Sequence, residues 1–199
     1  MGTTSGATDH HARVRKLTPA DLSDEQQILY DRIVSASQAQ GPPPFQFVDE
    51  TGALEGPFNG YLHQPALGAV LQDLGDAMRD GTALSNRARE LAILVVAAAL
   101  DADFARYAHE AIGRAVGLTD VEMAGVRDRR YEVIVDPFER AVVDTTDQLA
   151  SHGDLSDADC AAVVEQLGEA MMLELLTLVG FYSLLILQMR VLRVTVPTQ

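Results

Sequence analysis

The stretch Arg89-Glu90-Leu91-Ala92-Ile93-Leu94-Val95-Val96-Ala97-Ala98-Ala99-Leu100 decides the fold, because it reads as an apolar helix that opens on a carboxylate. A second helical segment follows and carries Tyr107-Ala108-His109-Glu110, placing an imidazole 19 residues after the acid. An unpartnered carboxylate in apolar surroundings is strongly disfavoured, so Glu90 needs a partner. A Glu with a His in reach is a candidate proton-transfer pair. With a turn near residues 101–103, the two positions differ by roughly 8 Å along paired helix axes at ~1.5 Å per residue. That offset predicts a bridging water or substrate unless the helices cross with a stagger.

The neighbouring punctuation is also helical. Thr18-Pro19-Ala20-Asp21 and Ser23-Asp24-Glu25-Gln26 are capping signals for a first helix running to about Ser37. Gly41-Pro42-Pro43-Pro44 ends it and starts a long loop over residues 41–64, a length that points to function. Pro65 suits the first position of a second helix ending near Gly81, and Ser85 caps the helix that carries Glu90. Asp101-Ala102-Asp103 turns the chain into the His109 helix, which stops at Gly117. Thr119-Asp120-Val121-Glu122, Asp136-Pro137-Phe138-Glu139 and Ser156-Asp157-Ala158-Asp159 open three more. An apolar helix over residues 169–193 closes the chain, and only Tyr131–Val135 looks strand-like. The expected class is all-α: a loose tail at residues 1–16, then a single domain over 17–199. Leu84–Leu100 and Leu167–Leu184 both place Glu-Leu a short way into an apolar helix. That echo is either a weak internal two-fold repeat, pairing Glu174 with Glu90, or coincidence.

Composition removes several function classes. A formal charge of −14 opposes binding to nucleic acid or an anionic membrane surface. Cys160 is the only cysteine, which leaves no intrachain disulfide, Cys-based zinc site or two-cysteine redox cycle. The sequence near Met1 shows no leader pattern, and the apolar run Leu175–Leu187 has 13 residues against the ~20 needed to span a bilayer. The expectation is a soluble, cytoplasmic protein with no membrane partner and no metal site.

Several separate pieces form a pattern. They are Gly56-Pro57-Phe58-Asn59 with Leu62-His63-Gln64-Pro65; Arg79, Leu84 and Arg87; and Arg89-Glu90-Leu91-Ala92-Ile93-Leu94. To these are added Ala108-His109-Glu110 with Gly117-Leu118, and Glu174-Leu175 with Gly180-Phe181-Tyr182. Together, over about residues 20–197, they resemble the carboxymuconolactone decarboxylase family, whose fold is shared with alkylhydroperoxidase-D-type peroxidases. The resemblance implies an alkylhydroperoxidase-D-like helical bundle and assembly into trimers or hexamers. In the peroxidase branch a Cys-x-x-Cys pair lies between the equivalents of Glu90 and His109; here those slots hold Ala102 and Ala105. Thiol peroxidase chemistry needs a thiolate and a resolving thiol, so it is not expected. The decarboxylase branch commonly carries an acid before the histidine, where this chain reads Phe104-Ala105-Arg106-Tyr107.

These residues admit two functional classes. In the first, the protein is a cofactor-free lyase or isomerase acting on a small cyclic acid, lactone or polyketide-like compound. His109 then moves the proton and Glu90 orients it, while Arg106 clamps a substrate carboxylate and His63, Tyr107 and Phe58 line the pocket. In the second, it is a non-catalytic, oligomeric small-molecule-binding or scaffold protein that kept the fold and lost the chemistry. Glu90 then pairs with Arg87 or Arg89 and His109 is packed. Arg106 becomes a solvated partner of Asp103 or Glu110, His63 a cap, and the aromatic residues core.

Overall fold

The computed structural model describes residues 12–39 and 41–197. Among them the chain is all-α. The helices are α1 (Asp24–Gln38), α2 (Pro57–Leu62), α3 (Pro65–Asp80), α4 (Asn86–Ala99), α5 (Asp103–Ala115), α6 (Asp120–Arg127), α7 (Pro137–His152), α8 (Asp157–Leu167) and α9 (Glu169–Leu192). Short 3-10 turns cover Pro19–Asp21 and Tyr131–Val133. The starts follow the local chemistry: Ser23, Ser85, Thr119, Asp136 and Ser156 each accept a hydrogen bond from a first-turn backbone N–H.

Helix α4 is the centre, packed by α5, α6, α7 and α9. Every residue from Ala88 to Ala97 is buried. Its small and β-branched residues let neighbours approach on all sides, as a helix without a polar face requires. One side joins the main core with Ile33, Leu62, Val142 and Leu178. Leu91, Leu94 and Val95 face a second cluster built with Met123, Val126, Ile134 and Val143. Arg87 ties the entry of α4 to its surroundings, with Nε donating to Glu139 at 2.8 Å and the other guanidinium nitrogens reaching Glu122 and the Gly117 carbonyl.

Four expectations need correction. The 41–64 segment is not a featureless loop. Val48 and Leu54 form an antiparallel bridge, and the Asp49 carboxylate accepts from Thr51 N (2.9 Å), Thr51 Oγ1 (2.6 Å) and Ala53 N (3.0 Å). The segment then turns into α2 through Gly56 at φ +63°, where a Cβ would lie 2.4 Å from the Phe104 ring, so only glycine fits. Tyr131–Val133 is a 3-10 turn: among the described residues no strand lies beside it to complete a ladder, and the Tyr131 hydroxyl donates to Asp147 at 2.9 Å.

The loose tail does not extend to residue 16. Residues 1–11 lie outside the described residues, but Arg13 N donates to the Leu192 carbonyl at 3.0 Å. Lys16 is clamped between Asp49 (2.9 Å) and Glu55 (2.6 Å), and the Leu17 backbone exchanges two bonds with Asn59. Finally, Glu174 accepts from the backbone of Ala83 (2.9 Å) and Leu84 (3.2 Å), a different task from that of Glu90.

Helix α9 has 24 residues and a window of mean hydropathy 2.1, long and apolar enough by composition to cross a membrane, beyond the 13-residue run read from sequence. It packs instead against α2, α4, α7 and α8, and its other face leaves Leu173, Leu176, Leu184, Leu187 and Val191 exposed in one stripe.

Burial raises the Asp49 carboxyl, but the bonds from Thr51, Lys16 and Ala53 outweigh it and hold the pKa at about 2. A carboxyl lowered in the folded state stabilises above its unfolded value of 3.8, and that contribution fades as pH falls toward 2. Because Lys16 is half exposed and screened, Asp49→Asn is expected to cost about 1 kcal/mol at neutral pH and almost nothing near pH 2. Denaturant unfolding across pH checks this; a pH-independent difference would remove the assignment.

Candidate active site

Glu90 lies on the inner face of α4, one turn past its cap, and its side chain is 4% exposed. Its Oε2 meets His109 Nδ1 at 2.7 Å, and the His109 side chain is 15% exposed. The helices therefore cross with the stagger that removes the offset expected from paired axes, and no bridging water is required. The turn that permits this is Leu100–Ala102, with Asp101 in the left-handed region at φ +48° and Ala102 N donating to the Ala97 carbonyl at 2.9 Å.

The other Glu90 oxygen faces Arg89 Nε at 3.8 Å, a looser contact. The Arg89 guanidinium donates instead to the Arg79 carbonyl (2.7 Å) and Asn86 (3.1 Å). Arg87 is committed to Glu139 and Glu122, so the imidazole is the principal partner of Glu90.

A carboxylate at 2.7 Å fixes the tautomer. Oε2 accepts, so Nδ1 carries the proton and donates, and Nε2 of the neutral ring presents a lone pair. The ring is held from the side by Tyr182 of α9, with centroids 5.2 Å apart and planes at 83°. Burial, then the Glu90 charge, pushes the Tyr182 phenol upward, so it stays protonated across the physiological range. An acid and an imidazole meet here beside the Tyr182 ring, and such an acid–imidazole pair is suited to moving protons.

The sequence reading missed Tyr182 as a site residue, although Gly180-Phe181-Tyr182 stood among the pieces of the family resemblance. Four expected residues make their contacts elsewhere. Arg106 pairs with Asp103 one turn back, on a partly exposed face. His63 is exposed; its Nε2 lies 2.9 Å from the Arg15 carbonyl and holds the N-terminal segment. The Tyr107 hydroxyl accepts from Gln46 N at 3.1 Å, and its ring meets Phe45 and Phe104 edge-on. Phe58 packs at a tilt against Phe47 (4.6 Å) and meets Tyr61 edge-on (5.7 Å). Ala102 and Ala105 are buried on the first turn of α5.

The model of the carboxymuconolactone decarboxylase family matches residues 65–156, the span that carries both Glu90 and His109. No curated relative matches the sequence. Among solved structures, a peroxidase-related protein with an alkylhydroperoxidase AhpD core, from Ralstonia eutropha JMP134, is similar at 18% identity and TM-score 0.75. That likeness covers 94% of this chain and 92% of the other. A peroxidase-related protein from Silicibacter sp. TM1040 is similar at 14% identity and TM-score 0.75, over 99% and 96% of the two chains. The debrominase Bmp8, solved in complex with 2,3,4-tribromopyrrole, is similar at 10% identity and TM-score 0.73, over 94% of this chain and 93% of that one. At these identities the likeness establishes the alkylhydroperoxidase-D-like fold.

The tautomer is directly observable. Long-range proton–nitrogen spectra of the neutral His109 ring should show Nδ1 protonated and Nε2 bare, and Glu90→Gln should release that preference. A ring protonated at Nε2 in the unsubstituted protein would overturn the assignment.

Proposed function

Because residues 65–156 carry the carboxymuconolactone decarboxylase family pattern within an alkylhydroperoxidase-D-like fold, we propose that the protein is a cofactor-free lyase or isomerase. Its substrate in this reading is a small cyclic acid, lactone or polyketide-like compound. The 2.7 Å contact between buried Glu90 and His109 carries the reading. His109 is the catalytic acid/base: Nε2 takes a proton from the substrate or returns one. Glu90 is the positioning residue, holding the ring by Nδ1 and favouring the imidazolium that forms in transit. Decarboxylation without a cofactor needs an electron sink already in the substrate, such as a carbonyl conjugated to the departing carboxylate. The protein supplies orientation and a dry environment that favours loss of charge as CO₂.

A thiol route has no support in this chain. The slots that hold cysteines in the peroxidase branch are Ala102 and Ala105, and Cys160 lies on α8 with its sulfur 4.0 Å from that of Met172. The alternative is a non-catalytic, oligomeric small-molecule-binding or scaffold protein, in which Arg106 stays a solvated partner of Asp103.

Assembly completes the proposal. The outward stripe of α9, with Leu187 61% exposed, is a larger apolar surface than a small helical monomer ordinarily leaves to water. We read it as the face by which copies associate into a trimer or hexamer in the cytoplasm.

Product analysis with lactones and β-keto acids provides the test. His109→Ala should lower turnover by about tenfold or more. Glu90→Gln should lower kcat to a similar extent with little change in KM, and Glu90→Asp should recover part of it. Full activity in both the Ala and Gln variants, with unchanged helical content, removes the mechanism. For assembly, light scattering should give a trimer or hexamer that Leu184→Arg dissociates; a monomeric parent protein would refute it.

A further inference from the structure

Helix α4 carries two neighbouring charges into the core, Arg89 at 8% exposure and Glu90 at 3%. Proton transfer as proposed above needs only the acid. Each nitrogen of the Arg89 guanidinium has its own neighbour. Nη1 donates to the Arg79 carbonyl at 2.7 Å and Nη2 to the Asn86 side-chain oxygen at 3.1 Å. Nε faces Glu90 Oε1 at 3.8 Å, beyond hydrogen-bond reach. Both hydrogen-bonded partners are neutral, so among the described residues Glu90 is the only acid paired with this cation. The other charges around the pair are matched elsewhere. On α3 the Arg79 side chain is engaged by Asp76 (2.7 Å) and Asp80 (3.0 Å). Glu122 of α6 and Glu139 of α7 are held by Arg87, and Glu110 of α5 by Arg127. From α9 come the Tyr182 ring and Glu174, whose carboxylate is bound to the backbone of Ala83 and Leu84.

We infer that Arg89 is a positioning residue that sets the charge balance of the Glu90–His109 pair. It is a fixed cation, held off Glu90 at 3.8 Å by Asn86 and the Arg79 carbonyl, that keeps the acid ionised without taking it from the imidazole. The spacing decides the effect. A guanidinium free to close on Glu90 would bind both carboxylate oxygens and release His109. With no cation at all, a carboxylate this deep would sit beside the imidazole uncompensated, and the pair would draw in a proton to cancel its charge. At the observed distance the attraction remains large against thermal energy. The sign follows from charge alone. Proton uptake adds positive charge beside Arg89, so removing the cation favours the protonated pair, whichever member binds the proton. A protonated pair cannot serve as base, so Arg89 extends toward lower pH the range in which Nε2 can accept. This rests on the proposed mechanism only in treating Glu90 and His109 as the reacting groups.

Nitrogen NMR of the His109 ring in the intact protein, followed across pH, is the test, because the ring shifts report proton uptake by the pair. Arg89→Gln should raise the titration midpoint by about one pH unit or more, whereas Arg89→Lys, which keeps the charge, should raise it by less than about half as much. Asn86 is exposed on the first turn of α4, where an acid suits the helix start, so Asn86→Asp should fold. It sets a second carboxylate against the guanidinium and should raise the midpoint by about half a unit. Should Arg89→Gln fail to fold, Asn86→Asp carries the test. An unmoved midpoint in the folded variants, or an equal rise in Arg89→Lys and Arg89→Gln, overturns the inference. In turnover the acid limb of the pH profile should move with the midpoint and activity should recover at higher pH; a loss independent of pH marks a packing role and refutes it. His109→Ala separates the two proposals. A moved midpoint with turnover unaffected by His109→Ala leaves the charge balance and removes the mechanism. An unmoved midpoint with turnover lost in His109→Ala removes the role of Arg89 alone.

Discussion

A carboxylate sealed inside a helix that is surrounded on all sides is the constraint from which the rest follows. Between Ala88 and Ala97 every residue of α4 is buried, and only Arg89 and Glu90 in that span carry charge. Leaving one member of such a buried pair without its partner costs on the order of 3–5 kcal/mol. That is a large share of the stability of an ordinary domain. The His109 imidazole meets Glu90, and the Arg79 carbonyl with Asn86 meets Arg89. Each contact fixes how α4 is rotated and how far α5 is displaced along it. The polar groups suited to proton transfer are therefore also the ones that set the register of the central crossing.

Around that crossing the packing has two grades. Inside, Ala88, Ala92 and Ala97 give neighbouring helices close access, and the main core closes over them. At the edge, Arg87 gathers Glu139 from α7, Glu122 from α6 and the carbonyl of Gly117, joining three elements through one guanidinium. Planar, multi-donor arginine suits that position better than a point charge. The arrangement leaves Glu90 without competition for its histidine, because the nearest arginines are already occupied.

Legibility in the sequence tracked how local each interaction is. Ser85, Thr119 and Ser156 announced their helices because a cap is a bond to a backbone three residues ahead. Glu90 and His109 were legible because an acid in an apolar run demands a partner. The direct 2.7 Å contact was not, since it depends on a crossing that only the whole bundle defines. Arg106 sits one turn before His109 and still turns outward, drawn by Asp103, which sequence spacing weighs equally with the inward choice. Helix α2 escaped notice because its six residues are stabilised by contacts from α3 and α9 rather than by their own propensity. Tyr182 is contributed from 73 positions beyond His109, too far for any window to connect.

Gly56 carries a consequence for how closely two helices approach. It caps the start of α2 and is pressed against Phe104, which stands on α5 five residues before His109. A side-chain-free backbone against an aromatic ring leaves no slack to absorb displacement. A side chain at position 56 would have to push that ring aside, so the bare glycine sets how near the start of α2 can come to α5.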